Sequence, residues 1–421
     1  MLDLIADRGA ATTPADPRIR TTVRRPWEHP HHWWPRLTEA TAHLPAPVGA
    51  IDLDALRYNA LDMVVRAGGL PIRVATKSVR VRSVIDAALK VPGYQGLLAF
   101  TLPEALWLAE EHDDIVVAYP SVDRAALTRL VADEQAAARI TLMVDDPAHL
   151  DLIDAVAAPG SRPRLRVAID LDASWRSAAL GHIGVRRSPL FSADDAARFA
   201  RAVAERPGFR LVGVQMYEAQ IAGQPDDTGS GDGLIRVVQE RSRRELRERR
   251  TRIFEAVRAI VPLEFVTGGG TGSLEYSGSD PVLTEITAGS GLLAGHLFDD
   301  YRAFRPAPAA AIAFDVVRRP ADDIATVMGG GWIASGPPVA SRQPQPVWPT
   351  GLRTMPREGA GEVQSPLRGE AARTLRIGDR VWWRHAKSGE AAERIDAYHL
   401  VDGDRVIDEL RTYRGERKAF L

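Results

Sequence analysis

From residue 47 onward, short apolar runs alternate with amphipathic stretches. The apolar runs are Val48–Leu53, Ile72–Thr76, Gly96–Phe100, Ile115–Tyr119, Ile140–Val144, Leu165–Leu171, Leu211–Tyr217, Leu263–Thr267 and Glu285–Gly289. Each is continuous rather than alternating, which is the pattern of strands buried on both faces. The intervening segments, Asp52–Arg66, Ser83–Lys90, Pro103–Glu111, Asp123–Asp133, Pro147–Ala157, Ala193–Glu205 and Ile235–Ile260, repeat their apolar residues at helical spacing. In the first, Leu53, Leu56, Ala60, Met63 and Val64 share a face, and Asp52 or Asp54 is the expected N-cap.

Strands alternating with helices predict a parallel sheet. The first run precedes the repeat, and eight strands remain between Ile72 and Gly289, the number that closes a (β/α)8 barrel. An open doubly wound sheet would need a glycine-rich turn after its first strand, and Ile72–Thr76 runs instead into Lys77-Ser78.

On either side of this repeat the pattern changes. Residues 1–46 read as an irregular N-terminal arm with Pro26, Pro30 and Pro35 and the cluster His29, His31, His32, Trp33, Trp34, whose spacing suits packing better than a metal. The repeat assigns residues 47–307 to the barrel. Beyond 308, short strands at Ala311–Val317, Ile324–Gly329, Arg380–Trp383, Ala397–Val401 and Val406–Leu410, with a Pro- and Gly-rich stretch between, predict a smaller C-terminal β domain.

Composition narrows the function. A formal net charge of -1 offers no basic field for nucleic acid or a membrane surface, and the run RSRRELRERR at 241–250 reads as a solvated helix face with Glu–Arg pairs. No cysteine is present, which removes disulfides, thiolate catalysis and Cys-ligated zinc. The sequence shows neither a signal-peptide core nor an 18-residue apolar span, so the expectation is a soluble cytoplasmic protein.

The chain has four lysines, Lys77, Lys90, Lys387 and Lys418. Lys77 falls where the first barrel strand ends, the side on which barrels of this kind build their sites. A lysine among apolar neighbours there can form an imine with a carbonyl, although a rim salt bridge is the simpler role. The loop GGGTGS at 268–273 follows another barrel strand. Its glycine backbone with Thr271 and Ser273 suits a phosphate, and Ala288-Gly289-Ser290-Gly291 ends the next strand. No Walker lysine accompanies it, so a nucleoside triphosphate is not expected. A lysine and a phosphate cup at one barrel mouth fit a phosphate-bearing aldehyde cofactor. His182 and Arg186 lie just past the fifth barrel strand, and Gln215, Tyr217, Glu218 and Gln220 follow one another at the sixth. A histidine or tyrosine there would be a natural general base, each equally readable as an ordinary buried polar residue. The segment around His385 near the C-terminus either reaches over the barrel mouth or forms a surface hairpin.

Taken together, IDLDALRYN (51–59), Lys77, IDLD followed by GHIGVR, VQMYEAQIAG, GGGTGS, TEITAGSGL and GDRVWWRHAK resemble the fold-type III pyridoxal-phosphate enzymes of the alanine racemase superfamily, in the D-threonine aldolase and D-serine dehydratase branch. The resemblance spans residues 47–421. It implies a (β/α)8 TIM-type barrel with a C-terminal β domain, a homodimer, and an amino acid as the small-molecule substrate. By that resemblance Lys77 holds pyridoxal 5'-phosphate, Gly269, Gly270, Thr271, Gly289 and Ser290 hold its phosphate, and Tyr217 approaches its ring or the substrate. Two positions depart from the pattern. His182 stands where members commonly carry an arginine to the cofactor's phenolic oxygen. His385-Ala386-Lys387 stands where metal-dependent members carry His-x-Cys or His-x-Asp, so no divalent metal site is expected. The expected activity is a lyase on a β-hydroxy D-amino acid, by retro-aldol cleavage or dehydration, with Lys77 and an opposite-face group, His182 or His385, moving protons. A racemase or epimerase using Lys77 and Tyr217, and a non-catalytic cofactor carrier, are the alternatives.

Overall fold

In a computed structural model describing residues 2–5, 23–387 and 389–421, the chain forms two compact units. One comprises the described chain up to Met63, Ser78–Val91 and Ser290–Ala419. The other comprises Val64–Lys77, Pro92–Gly289 and Phe420–Leu421.

In the first unit, all five residues of strand β1 (Val48–Asp52) are buried. It pairs antiparallel with Ala310–Ala321 and parallel with Ala397–Asp402 in a nine-stranded sheet. The run that precedes the barrel repeat thus pairs with the C-terminal strands. Both neighbours of β1 lie more than 250 residues away in sequence, so no local pattern signals the pairing.

The arm is more regular than its prolines suggest. A helix spans Pro30–Ala40, with Pro30 in the first turn, where its missing N–H costs nothing, and Pro35 inside. Burial offsets the bond lost at Pro35: Trp33, Trp34 and Leu37 pack with Val48, Ala50 and Trp382 in one apolar cluster. Trp33 Nε1 and Arg36 Nη2 donate to the Asp52 carboxylate at 3.0 and 2.8 Å, while the other Asp52 oxygen accepts the Ala55 N–H and so caps the following helix.

The second unit is the barrel. Its strands are β2 (Ile72–Ala75), β3 (Tyr94–Ala99), β4 (Ile115–Val117), β5 (Ile140–Val144), β6 (Leu165–Asp170), β7 (Phe209–Met216), β8 (Phe265–Gly268) and β9 (Glu285–Ala288). They close in the order β8-β9-β2-β3-β4-β5-β6-β7, every pair parallel. The eight-strand expectation is met strand for strand. The helices start where acidic caps permit. Asp123 and Asp146 accept first-turn N–H groups, and Ser192 with Asp195 forms a reciprocal capping box before Ala193–Glu205. A short helix at Glu134–Arg139 was not expected; it is capped by Asp133.

Leu98, Val116, Ala118, Met143, Ala168, Val212 and Phe265 fill the barrel, and Tyr119 packs on them. One strongly polar cluster centres on a buried arginine in the same barrel. Arg73 on β2 meets Glu285 of β9 at 2.7 and 2.8 Å and Asp114 at 2.9 and 3.0 Å, with its guanidinium 5.3 Å from the Phe265 ring centroid. The helix Asp232–Arg258 corrects the reading of RSRRELRERR as a wholly solvated face. Glu245 and Arg249 do pair at i,i+4, but Arg249 and Arg250 are only 4% and 1% exposed.

Candidate active site

The C-terminal ends of the barrel strands gather the groups that can do chemistry. After β2 the chain makes a single 3-10 turn, Thr76–Ser78, anchored where the Thr76 hydroxyl donates to the Leu98 carbonyl at 3.1 Å. That turn presents Lys77, whose Nζ donates to Tyr119 Oη at 2.8 Å. Tyr119 lies just beyond β4. Burial alone would raise its phenol, but the Lys77 charge, the hydrogen bond from Lys77 and the Arg187 charge outweigh burial and hold it below the usual tyrosine range.

Arg187 stands between two tyrosines, its guanidinium carbon 5.5 Å from the ring centroids of both Tyr119 and Tyr217. The Tyr217 phenol moves the other way. Burial pushes it up to about 12, against the opposing pull of Arg187, so it stays protonated. One tyrosine is thus biased toward giving up its proton and the other toward keeping it. Asp170 ends β6 and is 7% exposed. Burial pushes its carboxyl up to about 7 despite the hydrogen bond from Gln215 Nε2 at 3.3 Å, and the nearby Asp145 charge adds to the rise.

His182 sits in a small hairpin formed by Trp175–Ser177 and Gly181–Ile183. Its Nε2 donates to the Val185 carbonyl at 3.1 Å, and Nδ1 lies 3.5 Å from Ser174 Oγ, which itself donates to Asp172 at 2.8 Å. His182 lines a cavity of about 630 Å³ together with Arg176, Arg186, Arg187 and Ser188. Arg176 is paired with Asp172 at 3.1 Å. Arg186 and Arg187 have no carboxylate within ion-pair distance among the described residues.

The glycine loop follows β8. Gly269 has φ +82°, a conformation that L side chains rarely adopt, and its N–H donates to Glu218 Oε2 at 3.0 Å. Gly270 N–H donates to Ser273 Oγ at 3.2 Å, and the Thr271 carbonyl accepts from Arg66 at 2.7 Å. Gly289, just beyond β9, lies so close to the Ala75 backbone that a Cβ would sit 2.5 Å from the Ala75 carbonyl oxygen. Ser290 opens the next short helix, Ser290–Leu293.

His385 lies in the other unit, 2% exposed, with Nε2 lacking a hydrogen-bond partner. Burial, with the neighbouring Arg384 and His296, pushes its imidazole down to about 3, so it stays neutral. Arg384 itself pairs with Asp299. No group of three His, Asp or Glu able to hold a metal exists among the described residues. The positive Arg384 beside His385, and lysine at 387, do not fit a divalent cation.

Sequence reading gave no role to Tyr119, Asp170, Arg187 or Glu218. Three of them stand at or just past the ends of strands that the apolar runs had already located, and strand-end position was the available signal. Arg187 lies outside any regular element.

A closed parallel barrel carrying a lysine at the end of its first strand and a glycine loop after its seventh defines a class of barrel with one polar mouth for a small ligand. Residues 51–274 match the family described as alanine racemase, N-terminal domain, and the chain belongs to that family. It is 27% identical over 254 residues to a 3-hydroxy-D-aspartate aldolase of Paracoccus denitrificans, covering 59% of this chain and 60% of that protein. Among solved structures, D-threonine aldolase from Filomicrobium marinum superposes with a TM-score of 0.75 at 21% identity, covering 89% of this chain and 96% of that one. D-threo-3-hydroxyaspartate dehydratase from Delftia sp. HT23 gives 0.68 at 20% identity, covering 88% and 97%. These structures share the fold, and the chain spans 60% of the length of the aldolase it matches in sequence.

Proposed function

We propose that this protein is a pyridoxal-phosphate-dependent lyase acting on a β-hydroxy D-amino acid. The observation that carries the reading is the Lys77 amine, held 2.8 Å from the Tyr119 phenol at the barrel mouth whose neighbouring strand ends carry the glycine loop. The donor set fits the cofactor: an amine for its aldehyde, a glycine and hydroxyl loop for its phosphate, and tyrosine rings for its plane. Lys77 would hold it, with Gly269, Gly270, Thr271, Gly289 and Ser290 on its phosphate and Tyr217 and His182 toward its ring. Once bound, the cofactor supplies an electron sink for the bonds at the substrate Cα.

The chain's own residues supply the proton handling. Nζ of Lys77 must lose a proton before it can attack a carbonyl, and Tyr119 Oη is the acceptor within hydrogen-bond reach. Tyr217 keeps its proton and acts as a donor. His182, on the cavity wall, is assigned the β-hydroxyl. In retro-aldol cleavage it takes the hydroxyl proton as the Cα–Cβ bond breaks, and Lys77 delivers a proton to Cα, giving glycine and an aldehyde. In dehydration Lys77 takes the Cα proton while His182 protonates the departing hydroxyl, giving water and, after hydrolysis, ammonia and a keto acid. His385, neutral and buried, remains a secondary candidate. Arg186 and Arg187 in the cavity favour a substrate whose side chain ends in a carboxylate, the class named for the Paracoccus relative.

The test is an absorption spectrum of the wild-type protein and Lys77→Ala, before and after borohydride, followed by product analysis. A band near ~420 nm that borohydride abolishes, missing in the variant, is expected. Glycine or a keto acid should then form from 3-hydroxy-D-aspartate, D-threonine or D-serine. Absence of the band in cofactor-saturated wild type would sink the reading. Loss of optical activity without either product would favour racemisation. The expected homodimer and cytoplasmic setting belong to this reading and are checked by sedimentation and cell fractionation. No helix among the described residues is long and apolar enough to cross a membrane.

A further inference from the structure

We propose that Glu218 is the positioning residue that shapes the phosphate cup, acting through Gly269, Gly270 and the hydroxyls behind them. The proposal rests on the cofactor reading above.

Glu218 stands two residues beyond β7 and is fully buried. Its carboxylate is saturated by the glycine loop and one arginine. Oε2 accepts the Gly269 N–H at 3.0 Å and Arg250 Nη2 at 3.0 Å. Oε1 accepts the Ser277 hydroxyl at 2.8 Å and the Ser273 hydroxyl at 3.3 Å. Ser273 Oγ in turn accepts the Gly270 N–H. Two consecutive peptide planes are therefore fixed from one carboxylate, the first directly and the second through Ser273.

A bare anion behind an anion-binding loop would repel its ligand. Arg250, 1% exposed, offsets part of that charge. Its Nη2 binds Glu218 and the Met216 carbonyl, and its Nη1 binds Asp280 at 2.6 Å. Asp280 Oδ1 receives the Val282 N–H at 3.2 Å, which ties the support to the approach of β9. With its charge shared between Arg250 and the loop donors, Glu218 acts mainly through shape. It holds Gly269 in its left-handed conformation and sets which way the Gly269–Gly270 peptides face.

This role separates from general stability because only a phosphate-bearing ligand reads the cup. The experiment titrates the full-length protein, freed of cofactor, with pyridoxal phosphate and with pyridoxal, which lacks the phosphate. Glu218→Gln replaces one acceptor by a donor facing either Arg250 and Gly269 or the two serines. It should raise the Kd for pyridoxal phosphate about tenfold or more and leave that for pyridoxal within about twofold. Ser277→Ala removes a single hydroxyl and leaves the Glu218–Arg250 pair intact, so it answers even where Glu218→Gln does not fold; about threefold on the phosphate form alone is expected. Equal weakening of both ligands, or of neither, in the folded variants overturns the proposal alone. Wild type that takes up neither ligand overturns the cofactor reading and this proposal with it.

Discussion

Asp170→Asn is a direct probe of the barrel mouth. The wild-type carboxyl titrates at about 7 when folded, because burial penalises its charge and Asp145 stands nearby, whereas an unfolded aspartate titrates near 3.8. Between those values the folded chain holds a proton that the unfolded chain has lost. Stability therefore falls as pH rises through this window and levels off above about 7. The full penalty approaches about 4 kcal/mol at about 1.4 kcal/mol per pH unit. Because Arg187 and Gln215 share the charge, about half of that is the working expectation. Asparagine mimics the protonated carboxyl in shape and has no proton to lose. The variant should melt slightly above wild type at pH 5, where a little over a third of the penalty is already present, and well above it at pH 8.5. The gain is about 4–8 °C, taking about 2–4 °C per kcal/mol for a unit of roughly 200 residues. Scanning calorimetry of the two proteins at both pH values decides. A melting difference that does not change with pH, or one that favours wild type at pH 8.5, refutes the assignment.

Arg73→Met should cost about 3–5 kcal/mol in urea unfolding, because it strands the buried Glu285 carboxylate. Adding Glu285→Leu should recover most of the loss, and no recovery would mean the pair is not the cause. Replacing both Arg186 and Arg187 by Gln should raise KM for 3-hydroxy-D-aspartate about tenfold or more while changing KM for D-threonine little. Equal changes for both substrates would remove the arginines from selectivity. Prolonged treatment with a chelator should leave activity unchanged, with less than stoichiometric divalent metal in the purified protein. Activity restored only by added zinc or manganese would contradict the reading of Arg384 and Lys387 as unfit neighbours for a cation.

The barrel was legible because strands buried on both faces have no polar positions, so Ile115–Val117 and Ile140–Val144 stand out between charged helices. Lys77 was legible for a different reason: with four lysines in the chain, each position carries weight. What stayed hidden depends on distant partners. The arm helix at Pro30–Ala40 contradicts local propensity and is held by burial of Trp33 and Trp34 beside Trp382. Arg250 looked like one more charge in a polar helix, and only folding shows it paired with Glu218 thirty-two residues earlier. Tyr119, Asp170 and Arg187 acquire meaning from each other, and sequence spacing does not reveal that three separate loops converge.

The pairing of β1 also bears on how the molecule is made. β1 emerges from the ribosome early, yet one of its hydrogen-bonding edges waits for Ala310–Ala321 and the other for Ala397–Asp402. During most of translation it is an apolar strand with both edges open, the kind of segment that attracts chaperones or other nascent chains. The barrel strands need no such delay, since Ile72 to Ala288 are complete long before the last sheet partner appears. Synthesis rate and chaperone supply should therefore limit the yield of the sheet unit before they limit that of the barrel.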